Sequence, residues 1–141
     1  MNLNGSAASR DFGWLLQNFA DDTDGVSSAV VVSADGILLA RSYGMDQATA
    51  EQLGAVACGM ASLGNGASRL FGLDAVEQIM IEAGRGYVFS TAMGLGAVLA
   101  VVAARDCDIG LVAYAMTVLV NQSRAVLTAE LLYELKNVLT P

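Results

Sequence analysis

Few residues in this 141-residue chain have the type and spacing that chemistry needs. Asp35, in VVVSADGILLARS (30–42), is a carboxylate between two aliphatic runs. A general base or nucleophile needs a partner, and no His, Lys or second acid stands near it in sequence. Asp-Gly between such runs is instead a strong hairpin signal, so Asp35 is expected to turn the chain. Cys58 and Cys107 lack CxxC or zinc-ribbon spacing and read as buried fillers. DDTDG (21–25) imitates a calcium loop, but Gly25 at the sixth position would put Ala20 at the first and Val31 at the twelfth, where ligands must stand. The three acids therefore read as a solvated loop. The chain contains no histidine, which removes the commonest general base, the commonest zinc ligand and every Ser-His-Asp or Cys-His arrangement. Lys136 is the only lysine and no GxxxxGK[ST] is present, while the glycine-rich GMASLGNGASRL has no strand before it. Neither a Walker loop nor a dinucleotide fingerprint fits. No catalytic residue, cofactor or metal is expected.

Composition narrows the remaining classes. With 55% hydrophobic and 15% charged residues, the chain can fill one core and still have apolar surface left over, which favours self-association. Seven basic residues against fourteen acidic give a net charge of −7, and the basic ones are scattered. No electropositive stripe is available for phosphates, so nucleic acid is not an expected partner. MNLNGSAASRD lacks a basic start followed by an apolar run, and the stretches 97–104 and 109–120 are too short to span a bilayer. The expectation is a cytoplasmic protein without membrane insertion, reaching a membrane only through a partner.

Periodicity supplies the elements that would position any site. Phe12, Leu15, Leu16 and Phe19 form a helical stripe, with Ser9 as N-cap and Asp11 in the first turn. The runs 26–33 and 37–43 flank the Asp-Gly turn as strands. From about Asp46 to Phe71, Leu53, Val56, Ala57, Met60, Leu63, Ala67 and Leu70 repeat at helical spacing, with Thr49 and Gln52 as a capping box. The remaining residues of that helix are small. Its four glycines each cost about 1 kcal/mol relative to alanine, which implies either close approach of another backbone or fraying after Gly64. Strands follow at 76–82, 87–93 and 97–104. Glu77 and Glu82 bracket the first as an edge strand, and the last, apolar throughout, reads as central. Asp106 or Asp108 caps a third helix, apolar nearly all round to Val120 and so expected to be deeply buried. A separate amphipathic tail, 128–141, carries Leu131, Leu135 and Val138 on one face and is expected to dock either on the protein's own dimer or on a partner. The order α-β-β-α-β-β-β-α gives an α/β (α+β) domain over 1–127, with a five-stranded, mainly antiparallel sheet sandwiched by helices.

In that order and spacing, FGWLLQNFADDTDGVSSAVVVSADGILLA, QLGAVACGMASLG, YVFSTAMGLGAVLAVVA and DCDIGLVAYAMTVLV resemble the roadblock domain of the dynein light-chain family, whose fold is profilin-like. The resemblance covers about residues 11–127 and is strongest to the bacterial single-domain, MglB-like members. It implies a homodimer built from the second helix and third strand, with Ala55, Cys58, Gly59, Ser62, Gly66, Glu77, Ile79 and Ile81 at the interface. It further implies a non-enzymatic regulator of a small Ras-like GTPase, as activator or adaptor, with Gln52 and Arg69 facing the GTPase and a sensor-kinase-like protein as a further partner. Ala115 stands where such proteins commonly carry an acid. Two alternatives are a scaffold that leaves hydrolysis untouched and a small-molecule sensor of similar shape. The sensor needs a cavity with convergent polar groups, and Ser33, Gln78, Ser90 and Thr91 give no sign of converging.

Overall fold

A computed structural model describes residues 7–94, 96–124, 133, 136 and 137, with side chains from Phe12 onward. The elements are α1 (Ala7–Asp22), β1 (Val26–Ser33), β2 (Leu38–Arg41), α2 (Gln47–Phe71), β3 (Gln78–Ala83), β4 (Gly86–Gly94), β5 (Ala97–Ala104) and α3 (Ile109–Ser123). Every strand pair is antiparallel, in the order β2-β1-β5-β4-β3. Thus β5 is central and β3 is an edge, as the sequence predicts. The period-2 alternation of β1 and β5 builds two cores. Ala29, Val31, Leu99 and Val101 face α1 and α3 together with Phe12, Leu16, Phe19 and Met116. Val30, Val32, Val98 and Ala100 face α2, meeting Ala50 and Ala57.

Several local expectations need correction. The first helix begins at Ala7, so Ser9 lies inside it and does not cap it. Asp46 caps α2 by accepting from the Thr49 backbone N–H at 2.7 Å, where Thr49 and Gln52 had suggested a capping box. Asp108, of the two candidates, caps α3. The third helix buries only the stripe Val112, Met116, Leu119, Val120 and Ser123, leaving Ile109, Leu111 and Tyr114 exposed. Its apolar residues go all round, but the sheet covers one side. Both cysteines are half-buried. The tail residues Leu131, Leu135 and Val138 lie outside the described residues.

The glycine-rich helix does not fray at Gly64. It continues to Phe71 and ends on Gly72 at φ +64°, whose N–H donates to the Ser68 carbonyl. Two of its glycines lie close against the sheet: a Cβ on Gly54 would lie 3.2 Å from Val32 Cγ2, and one on Gly64 would lie 2.7 Å from Ile79 Cδ1, so that Val32 or the end of Ile79 would have to shift. Gly59 and Gly66 have nothing within 4 Å.

That contrast predicts opposite outcomes along one helix. Gly59→Ala and Gly66→Ala should each raise stability by about 0.5–1 kcal/mol through helix propensity alone. Gly64→Ala should gain nothing, because the helical gain is offset by displacing Ile79. Urea unfolding of the three variants checks the ordering, and a loss at Gly59 would mark that residue as covered by another chain.

A second expectation concerns acid. The Thr49 backbone N–H holds the Asp46 carboxyl below its ordinary 3.8, with the nearby Arg41 adding to the shift. A depressed carboxyl contributes stability above its unfolded value and loses that contribution as pH falls below 3.8 and through its folded value. Asp46→Asn keeps an acceptor without a titrating group. Its stability deficit relative to wild type should therefore shrink below about pH 4, as unfolding curves measured across that range would show.

Candidate functional surfaces on helix 2 and strand 3

At 25 residues, α2 is the longest helix among the described residues, and it presents three faces with different contents. Ala50, Gly54, Ala57 and Met60 lie on the sheet. Directly opposite, Val56, Leu63 and Leu70 recur every seven residues, two turns of helix, and are 48%, 78% and 80% exposed. Gln52, Gly59 and Gly66 fall on the same outward side at helical spacing. Periodicity alone merges Val56, Leu63 and Leu70 with the core stripe, and the structure separates them. Exposed Phe71 and Leu73 extend the apolar surface past the helix end.

A lateral face looks over β3. There Cys58, Ser62 and Asn65 line a groove of about 320 Å³ whose other wall includes Val76, Glu77 and Ile79. Exposed Glu51, Ala55 and Arg69 share this side of the helix. Cys58, expected at an interface, instead turns toward its own hairpin, its Sγ donating to the Ser33 carbonyl at 3.2 Å. Burial pushes the Cys58 thiol above its ordinary pKa and the nearby Asp35 charge adds to this, while the Gly36 N–H acts the other way.

Strand β3 hydrogen-bonds only to β4, so its outer edge is unpaired among the described residues. The helical layers cover its side chains only in part. Ile79 packs beneath Gly64, but Ile81 on the same face is 41% exposed, and Met80 on the opposite face is 45% exposed. The chain reaches this edge through a fixed reversal. Gly72 and Asp74 both take positive φ, and the Ser68 hydroxyl donates to the Asp74 carbonyl. At the far end, Arg105 pairs with Glu82 at 2.5 Å and lies over the Tyr87 ring.

Polar groups on the strands satisfy one another. Gln78 Nε2 donates to Thr91 Oγ1 at 3.2 Å, and the Ser33 hydroxyl donates to Asp35. Among the described residues no buried side-chain polar atom lacks a partner, no three metal-binding side chains cluster, and no helix is long and apolar enough to cross a membrane. Ala115, on α3, is half-buried against the core shared with α1. Of the interface residues implied by the resemblance, Ala55, Gly59, Ser62, Glu77 and Ile81 are exposed, and Cys58, Gly66 and Ile79 are half-covered.

Residues 12–103 match the model of the Roadblock/LC7 domain. The fold superposes on a Roadblock/LC7 domain from Streptomyces avermitilis with TM-score 0.77 and 32% identity, covering 80% of this chain and 94% of that one. Myxococcus xanthus MglB aligns at TM-score 0.75 and 16% identity, over 82% of this chain and 94% of that one. Profilin IB of Acanthamoeba castellanii aligns at TM-score 0.54 and 20% identity, over 76% and 94%, which places the fold among profilin-like sheets. No curated protein matches. With the family model covering most of the chain and a solved member 32% identical over 80% of it, this chain belongs to the Roadblock/LC7 family.

Proposed function

We propose that this protein is a non-enzymatic homodimer that binds and regulates a small Ras-like GTPase, acting from the cytoplasm. The observation that carries the reading is the uncovered outward stripe Val56, Leu63 and Leu70, an apolar surface that the domain's own core does not use. Covering these three side chains is worth about 3–6 kcal/mol gross, before the cost of association. The likeness to MglB-like proteins supports a GTPase as the occupant.

The lateral face suits a second copy. Glu51 and Arg69 lie on the same side of α2, near its two ends and about five turns apart. Pairing two such helices antiparallel brings Glu51 of each chain near Arg69 of the other, and the small residues Ala55 and Ser62 between them allow close approach. The open edge of β3, with Ile81 and Met80 uncovered on its two faces, pairs with its symmetry mate in the same assembly, joining two sheets. On this reading Arg69 serves the dimer and Gln52, on the outward side, serves the GTPase.

Sedimentation should therefore find a dimer that Arg69→Glu weakens and that the double variant Glu51→Arg/Arg69→Glu restores. A dimer indifferent to both moves the interface elsewhere. Leu63→Glu should leave the dimer intact but reduce binding to the cognate GTPase at least tenfold. Phosphate release in the same mixture then separates the two roles: faster turnover marks an activator, whereas tight binding with unchanged turnover makes the protein a scaffold. Undiminished binding by Leu63→Glu removes the outward stripe from the reading.

A further inference from the structure

Three of the polar residues that the sequence places on strands or at their ends are engaged by neighbours: Ser33 bonds to Asp35, and Gln78 to Thr91. Ser90 is not. It is 3% exposed, and among the described residues its hydroxyl has no hydrogen-bond partner. Because no sealed polar atom goes unpaired there, the accessible part of Ser90 must include that hydroxyl, which opens into the groove beneath α2. Strand register fixes its direction: Ser90 lies opposite Ile79 on one side and Ala100 on the other, both of which face α2. A hydroxyl left open at the floor of a groove takes its partner from whatever enters.

The groove stays open because the residues that could fill it are small. α2 comes down on the sheet at Gly54 and Gly64, and between those contacts Cys58 and Ala61 share the lining with Ala92 and Ala97. Its mouth lies at the end of the sheet that carries the β1–β2 and β4–β5 turns, where Gly94 and Gly96, at φ +86° and +75°, add no side chain to the rim. Glu77 is the only ionised group in the lining, and no cation accompanies it there. The Ala92 N–H donates to the Glu77 carbonyl at 3.4 Å, which continues the β3–β4 register. Glu77 and Ser90 are therefore diagonal neighbours on the face beneath α2, roughly 7 Å apart. We propose that this groove binds a small aliphatic amine carrying a second, neutral hydrogen-bonding group a few carbons away. Its ammonium group pairs with Glu77, its far hydroxyl or carbonyl bonds to the Ser90 hydroxyl, and its stem lies against Ile79 and Val98. A chain of net charge −7 draws such a cation in. The site requires neither the GTPase nor a second copy, because all of its groups come from one α2 and one sheet.

Titration of the isotope-labelled intact protein with aminopentanol, followed through its amide NMR shifts, tests this. Saturable changes should centre on Cys58, Ala61, Ser90 and Ala92. Pentylamine, which lacks the hydroxyl, should bind about two- to tenfold more weakly, and that preference should vanish in Ser90→Ala. Glu77→Gln should weaken aminopentanol by about two- to fivefold and leave the weaker binding of pentanediol, its uncharged analogue, unaffected. Ala92→Phe, at an exposed position of the lining, should block the groove and abolish binding while the rest of the spectrum is unchanged. Any of the following overturns the proposal: no saturable change, changes centred on Leu63 and Leu70 instead, pentanediol bound as tightly as aminopentanol, a hydroxyl preference that persists in Ser90→Ala, or undiminished binding by Glu77→Gln or Ala92→Phe.

Discussion

Everything of functional interest here depends on how closely α2 lies on the sheet. The contact is made by Ala50, Gly54, Ala57 and Gly64 above Val32, Ala100 and Ile79, with so little side chain between the layers that a methyl group at Gly54 would press on Val32 and one at Gly64 would displace the end of Ile79. Small residues take most of the inner positions, with Met60 the long one among them, and Val56, Leu63 and Leu70 lie on the outward side. The same close approach carries the helix obliquely from the β1–β2 hairpin to the β3 edge, which creates both the lateral face and the groove beneath it. A helix with ordinary leucines at its inner positions would stand off the sheet and cover neither edge in this way.

Much of the architecture is legible in the sequence because period and punctuation agree. Valine-rich alternation, Asp-Gly, the AGRG and GLG turns and the unbroken apolar run of β5 leave little freedom in the order of strands, and the edge and centre of the sheet follow from where the charges fall. The site was less legible. In α2, residues spaced by three or four can lie on one wide stripe or on two opposed ones when small residues make up the contact, so Leu63 and Met60 look alike in sequence although one is 78% and the other 7% exposed. The glycines three residues after Val56 and Leu63 were the available clue to a second face. The same ambiguity made α3 look buried all round, since apolar character says what a side chain tolerates and only the neighbouring layer says which side is covered.

Asp35 shows how far local rules reach. Asp-Gly correctly marks the turn, but only Gly36 takes positive φ, and the loop closes through Gly36 N–H to Ser33 C=O and Ser33 N–H to Ile37 C=O. This is a three-residue hairpin loop with the glycine last, not a two-residue one with both residues left-handed. That geometry leaves the carboxylate projecting from the sheet end, where Ser33 holds it below its ordinary pKa and Lys136 adds to the effect. No window of sequence around Asp35 contains that lysine.

The surfaces also differ in the force that would hold a partner, and this gives each a different response to solution conditions. The outward stripe of α2 is apolar, so binding there follows buried area and is little affected by salt. The lateral face combines small residues with one acid and one base at opposite ends, which in the proposed dimer would select an antiparallel arrangement more than add affinity, because exposed ion pairs are weak. The β1–β2 turn carries a single exposed ion pair, Lys136–Asp35, within a chain of net charge −7, where mobile cations compete directly for the carboxylate. Raising ionic strength therefore weakens the exposed Lys136–Asp35 contact, and would weaken binding that relies on Glu51 and Arg69 before binding that relies on the apolar stripe.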